Sequence, residues 1–139
     1  MEFDNFGNLH PYGIIKAELN IIEELFVTSF AESITRETLF GDFHLFLNEI
    51  KIIVENGTLW LDGSFVTLKK DPRDIDILIF VRSEILLEKE RELTILKKKY
   101  QPKIDSYFIE LLPENHPKYF LFEMNRKEWL FTFSTSRSF

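Results

Sequence analysis

The segment Asp74-Ile75-Asp76-Ile77-Leu78-Ile79-Phe80-Val81 decides how this chain folds. Ile75, Ile77, Ile79 and Val81 alternate onto one face, and Leu78 and Phe80 line the other beyond two aspartates. Apolar residues on both faces predict a central strand covered on both sides. Upstream, Thr58 to Asp62 reads as a short strand that turns at Gly63. Downstream, Ser83 caps a helix with Leu86, Leu93, Leu96 and Tyr100 inward. Its early Glu84 and Glu88 and its late Lys97, Lys98 and Lys99 suit the helix dipole. Pro102 closes that helix, and Ile104 to Leu112 is a third strand, ended by Pro113.

Helices are expected on both flanks. Asn5 to Gly13 is an irregular lead-in, broken by Gly7, Pro11 and Gly13. Ile15, Leu19, Ile22, Phe26 and Phe30 then recur every three or four residues, one face of a helix. A second helix starts near Ser33 or Thr35. Its stripe is Leu39, Phe43, Phe46, Leu47, Ile50, Ile53 and Val54, and Gly57 is a natural stop. Pro117 opens a C-terminal helix through Phe120, Met124 and Phe131. The alternative there is a strand on which Trp129, Phe131 and Phe133 alternate. The order predicts an α+β fold, a small sheet with helices against it. One domain would span residues 1–139: N-terminal helices over 1–57, the sheet and its helix over 58–112, and a C-terminal segment over 113–139.

Composition sets bounds on function. Of 139 residues, 45% are hydrophobic and 29% charged, with 15 Phe to build a core. No apolar run approaches the roughly 20 residues needed to cross a bilayer. The opening Met1-Glu2-Phe3-Asp4 is acidic, unlike a signal segment. The absence of cysteine excludes disulfides, thiolate zinc sites and cysteine nucleophiles. A cytoplasmic protein is the expectation. The net charge of −6 argues against a broad face for duplex DNA, because such binding comes from neutralised phosphates. A small pocket for one nucleotide remains compatible, as does an acidic site that recruits divalent cations.

The chemistry concentrates around the central strand. Asp74 and Asp76 are two apart, so both carboxylates share a face at the mouth of an oily segment. Two carboxylates that close repel, and their pKa values rise unless a cation intervenes. A hard divalent ion, Mg²⁺ most naturally, answers this with oxygen ligands and positions open to phosphates. Gly63 lets backbone N–H groups approach a phosphate, and Ser64 adds a hydroxyl donor. A short helix begun by Phe65 to Leu68 would aim its N-terminus at the same anion. Asp105 opens the third strand as a third acid; Glu110 competes for the role but faces the opposite side. Three acids on a pair of metals would let one acidify an attacking hydroxyl and the other hold a triphosphate.

Other polar residues carry less. Lys69, and behind it Lys70 and Arg73, can reach triphosphate oxygens, a solvated loop being the plain alternative. His10, His44 and His116 show no ligand spacing. Trp60, Tyr107 and Trp129 can stack on a base, although core packing is the default for such aromatics. Asp62 reads as a turn residue rather than a fourth ligand.

Gly63-Ser64, Asp74-x-Asp76 and Asp105 together resemble the signature of the polymerase-β-like nucleotidyltransferase superfamily. The longer string Gly63-Ser64-Phe65-Val66-Thr67 with Lys69, Pro72, Asp74, Ile75 and Asp76 is similar to a family of bacterial proteins within it. The similarity extends upstream through Ser33-x-Thr35-Arg36 and Trp60-x-Asp62, and its specific part is Trp60 to Asp76. The resemblance implies a short mixed sheet flanked by helices. It implies transfer of a nucleoside monophosphate from a Mg²⁺-bound triphosphate to a hydroxyl of RNA, protein or a small molecule, with Mn²⁺ as a possible substitute metal. By position, Asp74 and Asp76 would bind both metals and Asp105 the metal nearer the attacking group. Gly63 and Ser64 would hold the β- and γ-phosphates. The alternative is a catalytically incomplete nucleotide-binding module or subunit that needs a partner; a toxin or defence component, with the same chemistry, is a third reading. Relatives often add a helical domain or partner to hold the acceptor, so a homo-oligomer or a helical partner is expected for this short chain. They also often continue past the point where this chain ends, at Ser136-Arg137-Ser138-Phe139, so a final strand or nucleotide-contacting segment is expected to be missing or never to have been present.

Overall fold

A computed structural model describes residues 2–3, 9–10, 14–16, 18–55, 57–111 and 134–138, with side chains over 18–55 and 57–110. Two short strands, β1 (Glu2–Phe3) and β2 (Leu9–His10), pair antiparallel. Strand β3 (Ile14–Lys16) precedes helix α1 (Leu19–Glu23), which runs into a π-helical turn over Glu24–Thr28. Helix α2 (Arg36–Ile53), strand β4 (Thr58–Asp62) and strand β5 (Ile75–Arg82) follow. Helices α3 (Ser83–Glu88) and α4 (Glu90–Tyr100) then lead to strands β6 (Ile104–Leu111) and β7 (Ser134–Ser138).

The main sheet has the order β3-β7-β4-β5-β6. β4 runs antiparallel to β5 and β7, whereas β5–β6 and β3–β7 are parallel. The α+β expectation therefore holds, with a mixed sheet and helices against it.

The alternation along β5 places the core. Ile75, Ile77, Ile79 and Val81 join Leu59 and Leu61 of β4 and Ile104 of β6 in one buried cluster. Against them pack Leu39, Phe43, Phe46, Leu47 and Ile50 of α2 and Leu93 and Leu96 of α4. Trp60, Leu78 and Phe80, of opposite parity, are buried as well. Each of these large side chains is worth about 1.5–3 kcal/mol of transfer free energy. That anchors the central strands and fixes which residues reach each face.

Three expectations change in detail, and the capping alternative at α2 is decided. Ile15 lies in β3, and α1 starts only at Leu19. The π-turn, in which Ser29 N–H donates to Glu24 O at 3.0 Å, adds a residue to the repeat and turns Phe30 out of the stripe. Ile22 and Phe26 stay buried, while Phe30 lies over the Arg36 guanidinium at 3.8 Å. At the start of α2, Ser33 Oγ accepts the N–H groups of Arg36 at 3.2 Å and Thr35 at 3.3 Å, so Ser33 does the capping. The helix after Ser83 breaks at Lys89, because residues 88–92 offer no apolar side chain to hold that turn on the core. Lastly, the strand β7 between β3 and β4 was not anticipated. The C-terminal helix expected through Pro117, Phe120, Met124 and Phe131, and its strand alternative, lie outside the described residues.

Candidate functional site

Register brings the acids together. Asp62, the last residue of β4, is paired with Asp76 near the start of β5, and Asp76 is paired with Asp105 near the start of β6. Residues paired across a sheet share a face, so the three carboxylates form a row on the face opposite the helix-packed core. The next row on that face is Trp60, Leu78 and Tyr107. Asp74 has the same parity, just ahead of β5. The sequence reading assigned Asp62 to a turn; it is instead buried and stands beside Asp76. The signal was its even spacing from Trp60 at the end of an alternating strand.

Electrostatics follow the geometry. The half-buried Asp76 carboxyl is pushed up to about 6, by burial first and then by the charges of Asp74, Asp105 and Asp62. Asp74 is raised by burial and by Asp105, while Lys69 opposes the rise. Lys69, expected to reach triphosphate oxygens, is exposed, and its charge is felt at Asp74. Lys70 and Arg73 are exposed on the same loop.

Gly63 has a second reason to be glycine. Its φ is +77°, and a Cβ there would stand 2.2 Å from Asp76 Oδ2. The backbone at Gly63 passes directly against the Asp76 carboxylate, which no side chain would permit. Ser64 then opens a single 3₁₀ turn, Ser64–Val66. The short helix expected from Phe65 to Leu68 does not form, because Thr67 folds back and its Oγ1 donates to Ser64 O at 2.7 Å. One such turn is too short to sum its peptide dipoles into a helix dipole aimed at an anion, so that support for phosphate binding falls away.

The loop between Ser64 and Asp74 is instead held by Arg36, which is fully buried. Its guanidinium donates to the carbonyls of Phe26 at 2.8 Å, Phe65 at 2.7 Å, Thr67 at 2.8 Å and Lys69. The rings of Phe30 and Phe65 lie over it at 3.8 and 5.2 Å. Burial lowers its pKa to about 10, and Asp71 partly offsets this. Asp71 also accepts Ile34 N–H at 2.8 Å and the Ser33 hydroxyl at 3.0 Å, tying the loop to the start of α2. These contacts hold its carboxyl below the usual range, the Ile34 bond most of all. A single arginine at a helix start carries no sequence signal for such a role.

Asp105 is already engaged. Tyr107 OH donates to its Oδ2 at 2.7 Å, and Lys97 Nζ stands 3.6 Å from its Oδ1. Lys97 also donates to Ser106 O and lies 4.4 Å from the centre of the Tyr107 ring. The bond to Asp105 is the first cause pushing the Tyr107 hydroxyl up to about 12. Glu110 is occupied at the other end of β6, accepting the Ser83 hydroxyl. Trp60 packs on Phe80 at 4.5 Å between ring centres, and His44 stands edge-on to Phe40. Both are core contacts. The side chains of His10, His116 and Trp129 lie outside the described residues.

The donor set suits a hard cation in kind: carboxylate oxygens whose mutual repulsion a positive charge would relieve. As placed, no group of three or more His, Cys, Asp or Glu side chains among the described residues is gathered to hold a metal ion. An open groove between α2 and the segment Tyr100 to Lys103 shares no residue with the acid row. Among the described residues no helix is long and apolar enough to cross a membrane.

Fold and site together define a small α+β domain whose mixed sheet presents a row of aspartates beside a glycine-led loop. Over residues 1–139 the chain belongs to DUF6932, a family of unknown function. No curated protein and no solved structure matches it.

Proposed function

We propose that the chain is a nucleotidyltransferase, moving a nucleoside monophosphate from a nucleoside triphosphate to a hydroxyl of RNA, protein or a small molecule. The observation that carries this reading is the row Asp62–Asp76–Asp105 with Asp74, set in register beside Gly63-Ser64. The resemblance to polymerase-β-like nucleotidyltransferases, noted on these same positions, supports it. Asp74 and Asp76 would hold Mg²⁺ or Mn²⁺, with Asp105 as third carboxylate. Bound there, such a cation supplies charge neutralisation for a triphosphate and activation of an attacking hydroxyl. The chain's own part is orientation. Gly63 and Ser64 offer backbone and hydroxyl donors to the terminal phosphates, and Lys69 adds charge. Arg36 keeps the carbonyls of the loop turned inward, away from an anion that they would repel.

The test is incubation with α-³²P-labelled ATP, GTP, CTP and UTP, Mg²⁺ and a cell extract. Label should enter an acceptor with the wild type and not with Asp74→Asn or Asp76→Asn. No transfer from any of the four would overturn the reading. A second reading, a module that binds nucleotide without transferring it, is favoured by the Lys97–Asp105 ion pair, which neutralises the third acid. Metal-dependent nucleotide binding with no label transferred would support that reading.

A further inference from the structure

We propose that Tyr107 is a nucleotide acceptor, so that the chain nucleotidylates its own tyrosine. This deepens the transfer reading above and rests on it. In that reading the attacking hydroxyl stands beside Asp105, and in the structure a hydroxyl already stands there: Tyr107 OH donates to Asp105 Oδ2 at 2.7 Å. Tyr107 follows Asp105 by two residues on the same face of β6, next to the acid row. It is 42% exposed, so a triphosphate can approach it from solvent. Lys97, 4.4 Å from its ring centre, places a positive charge where phosphate oxygens would come in. Of the other hydroxyls nearby, Ser64 is assigned to the terminal phosphates and the rest do not face the acid row. Ser106 is fully buried on the opposite face, Ser83 donates to Glu110, and Tyr100 donates to Glu49 on the helix side.

The step balances without further reagents beyond the triphosphate. A lone pair of Tyr107 Oη forms a bond to the α-phosphorus, and the bond from that phosphorus to the bridging oxygen of the β-phosphate breaks. Pyrophosphate leaves with the electron pair. The phenolic proton leaves to solvent water, which reaches the exposed Tyr107 side chain. The product is a tyrosyl phosphodiester.

Purified protein with Mg²⁺ and each triphosphate should gain the mass of one nucleoside monophosphate, and peptide mapping should place it on Tyr107. Tyr107→Phe should gain none while melting as the wild type does and binding nucleotide in a Mg²⁺-dependent way by equilibrium dialysis. A readout free of turnover uses the α,β-methylene triphosphate: with Mg²⁺ it should protect Tyr107 from nitration by tetranitromethane. An adduct on another residue, an adduct that survives Tyr107→Phe, or nitration unaffected by the analogue overturns the proposal. Mg²⁺-dependent binding with no adduct overturns self-modification and leaves transfer to a separate acceptor standing. No Mg²⁺-dependent binding removes both. If Tyr107→Phe fails to fold, the mapped position of the wild-type adduct decides.

Discussion

At Asp76, burial and neighbouring charge act in the same direction, and both oppose ionisation. Its folded-state carboxyl near 6 lies above the ordinary 3.8, so between those values the folded apoprotein binds protons that the unfolded chain releases. Stability from this group is present below that window and is lost as pH rises through it. Melting curves in EDTA should therefore show the wild-type-minus-Asp76→Asn difference in Tm declining from acid to neutral pH; a flat difference would contradict the assigned environment. Ser64→Ala should weaken Mg²⁺-triphosphate affinity by about 1–2 kcal/mol in titration calorimetry, the worth of one charge-assisted hydrogen bond. A turn-only serine would leave affinity unchanged. Arg36→Met should cost about 3 kcal/mol or more in urea unfolding, since it strips donors from four carbonyls, those of Phe26 and Phe65 being bonded in buried surroundings that water does not reach. Asp74 and Asp76 were legible at this scale because parity puts them on one face; Asp105 was legible as an acid opening the next strand, and the β5–β6 register sets it beside Asp76. Arg36 was not, since its partners are backbone carbonyls distant in sequence, and neither was the tie of Lys97 and Tyr107 to Asp105.

Elements succeeded or failed as predictions according to how regular their repeat is. β5 was legible because its period of two runs unbroken from Ile75 to Val81. The first helix differs from its expected form at both ends: Ile15 belongs to β3, and the π-turn over Glu24–Thr28 breaks the helical period before Phe30. The placement of β7 depends on which surfaces meet, which no local pattern encodes, whereas the break at Lys89 has a local sign in the apolar gap over residues 88–92. The β4-to-3₁₀ junction is the most constrained of these connections, and Gly63→Ala tests it. With φ at +77° and the Asp76 carboxylate in the way, the substitution should destabilise the apoprotein by about 2 kcal/mol or more. Part of that loss is contact with one side chain, so Gly63→Ala and Asp76→Ala together should cost less than the sum of the two. Strict additivity in chemical denaturation would place the whole cost in the backbone.

For the whole molecule, a site built from like charges should make the apoprotein and the loaded protein respond oppositely to the same substitution. Asp74→Asn and Asp76→Asn should leave the metal-free Tm unchanged or raise it, and should abolish the rise that Mg²⁺ plus nucleotide gives the wild type by mass action. Metal-free destabilisation of about 1–3 kcal/mol with the ligand-induced rise retained would instead mark these aspartates as structural hydrogen-bond anchors. The parallel pairing of β5 with β6 carries one more consequence, for what lengths of chain the fold accepts. Asp76 meets Asp105 across a connection that includes α3 and α4, and a residue added at the Lys89 junction leaves that meeting intact. A residue deleted between Lys103 and Asp105 while the backbone pairing holds sets Ser106 opposite Asp76 and removes an acid from the row. Insertions and deletions should thus be tolerated by phase rather than by size: freely where the two helices join, and not at all at the threshold of β6.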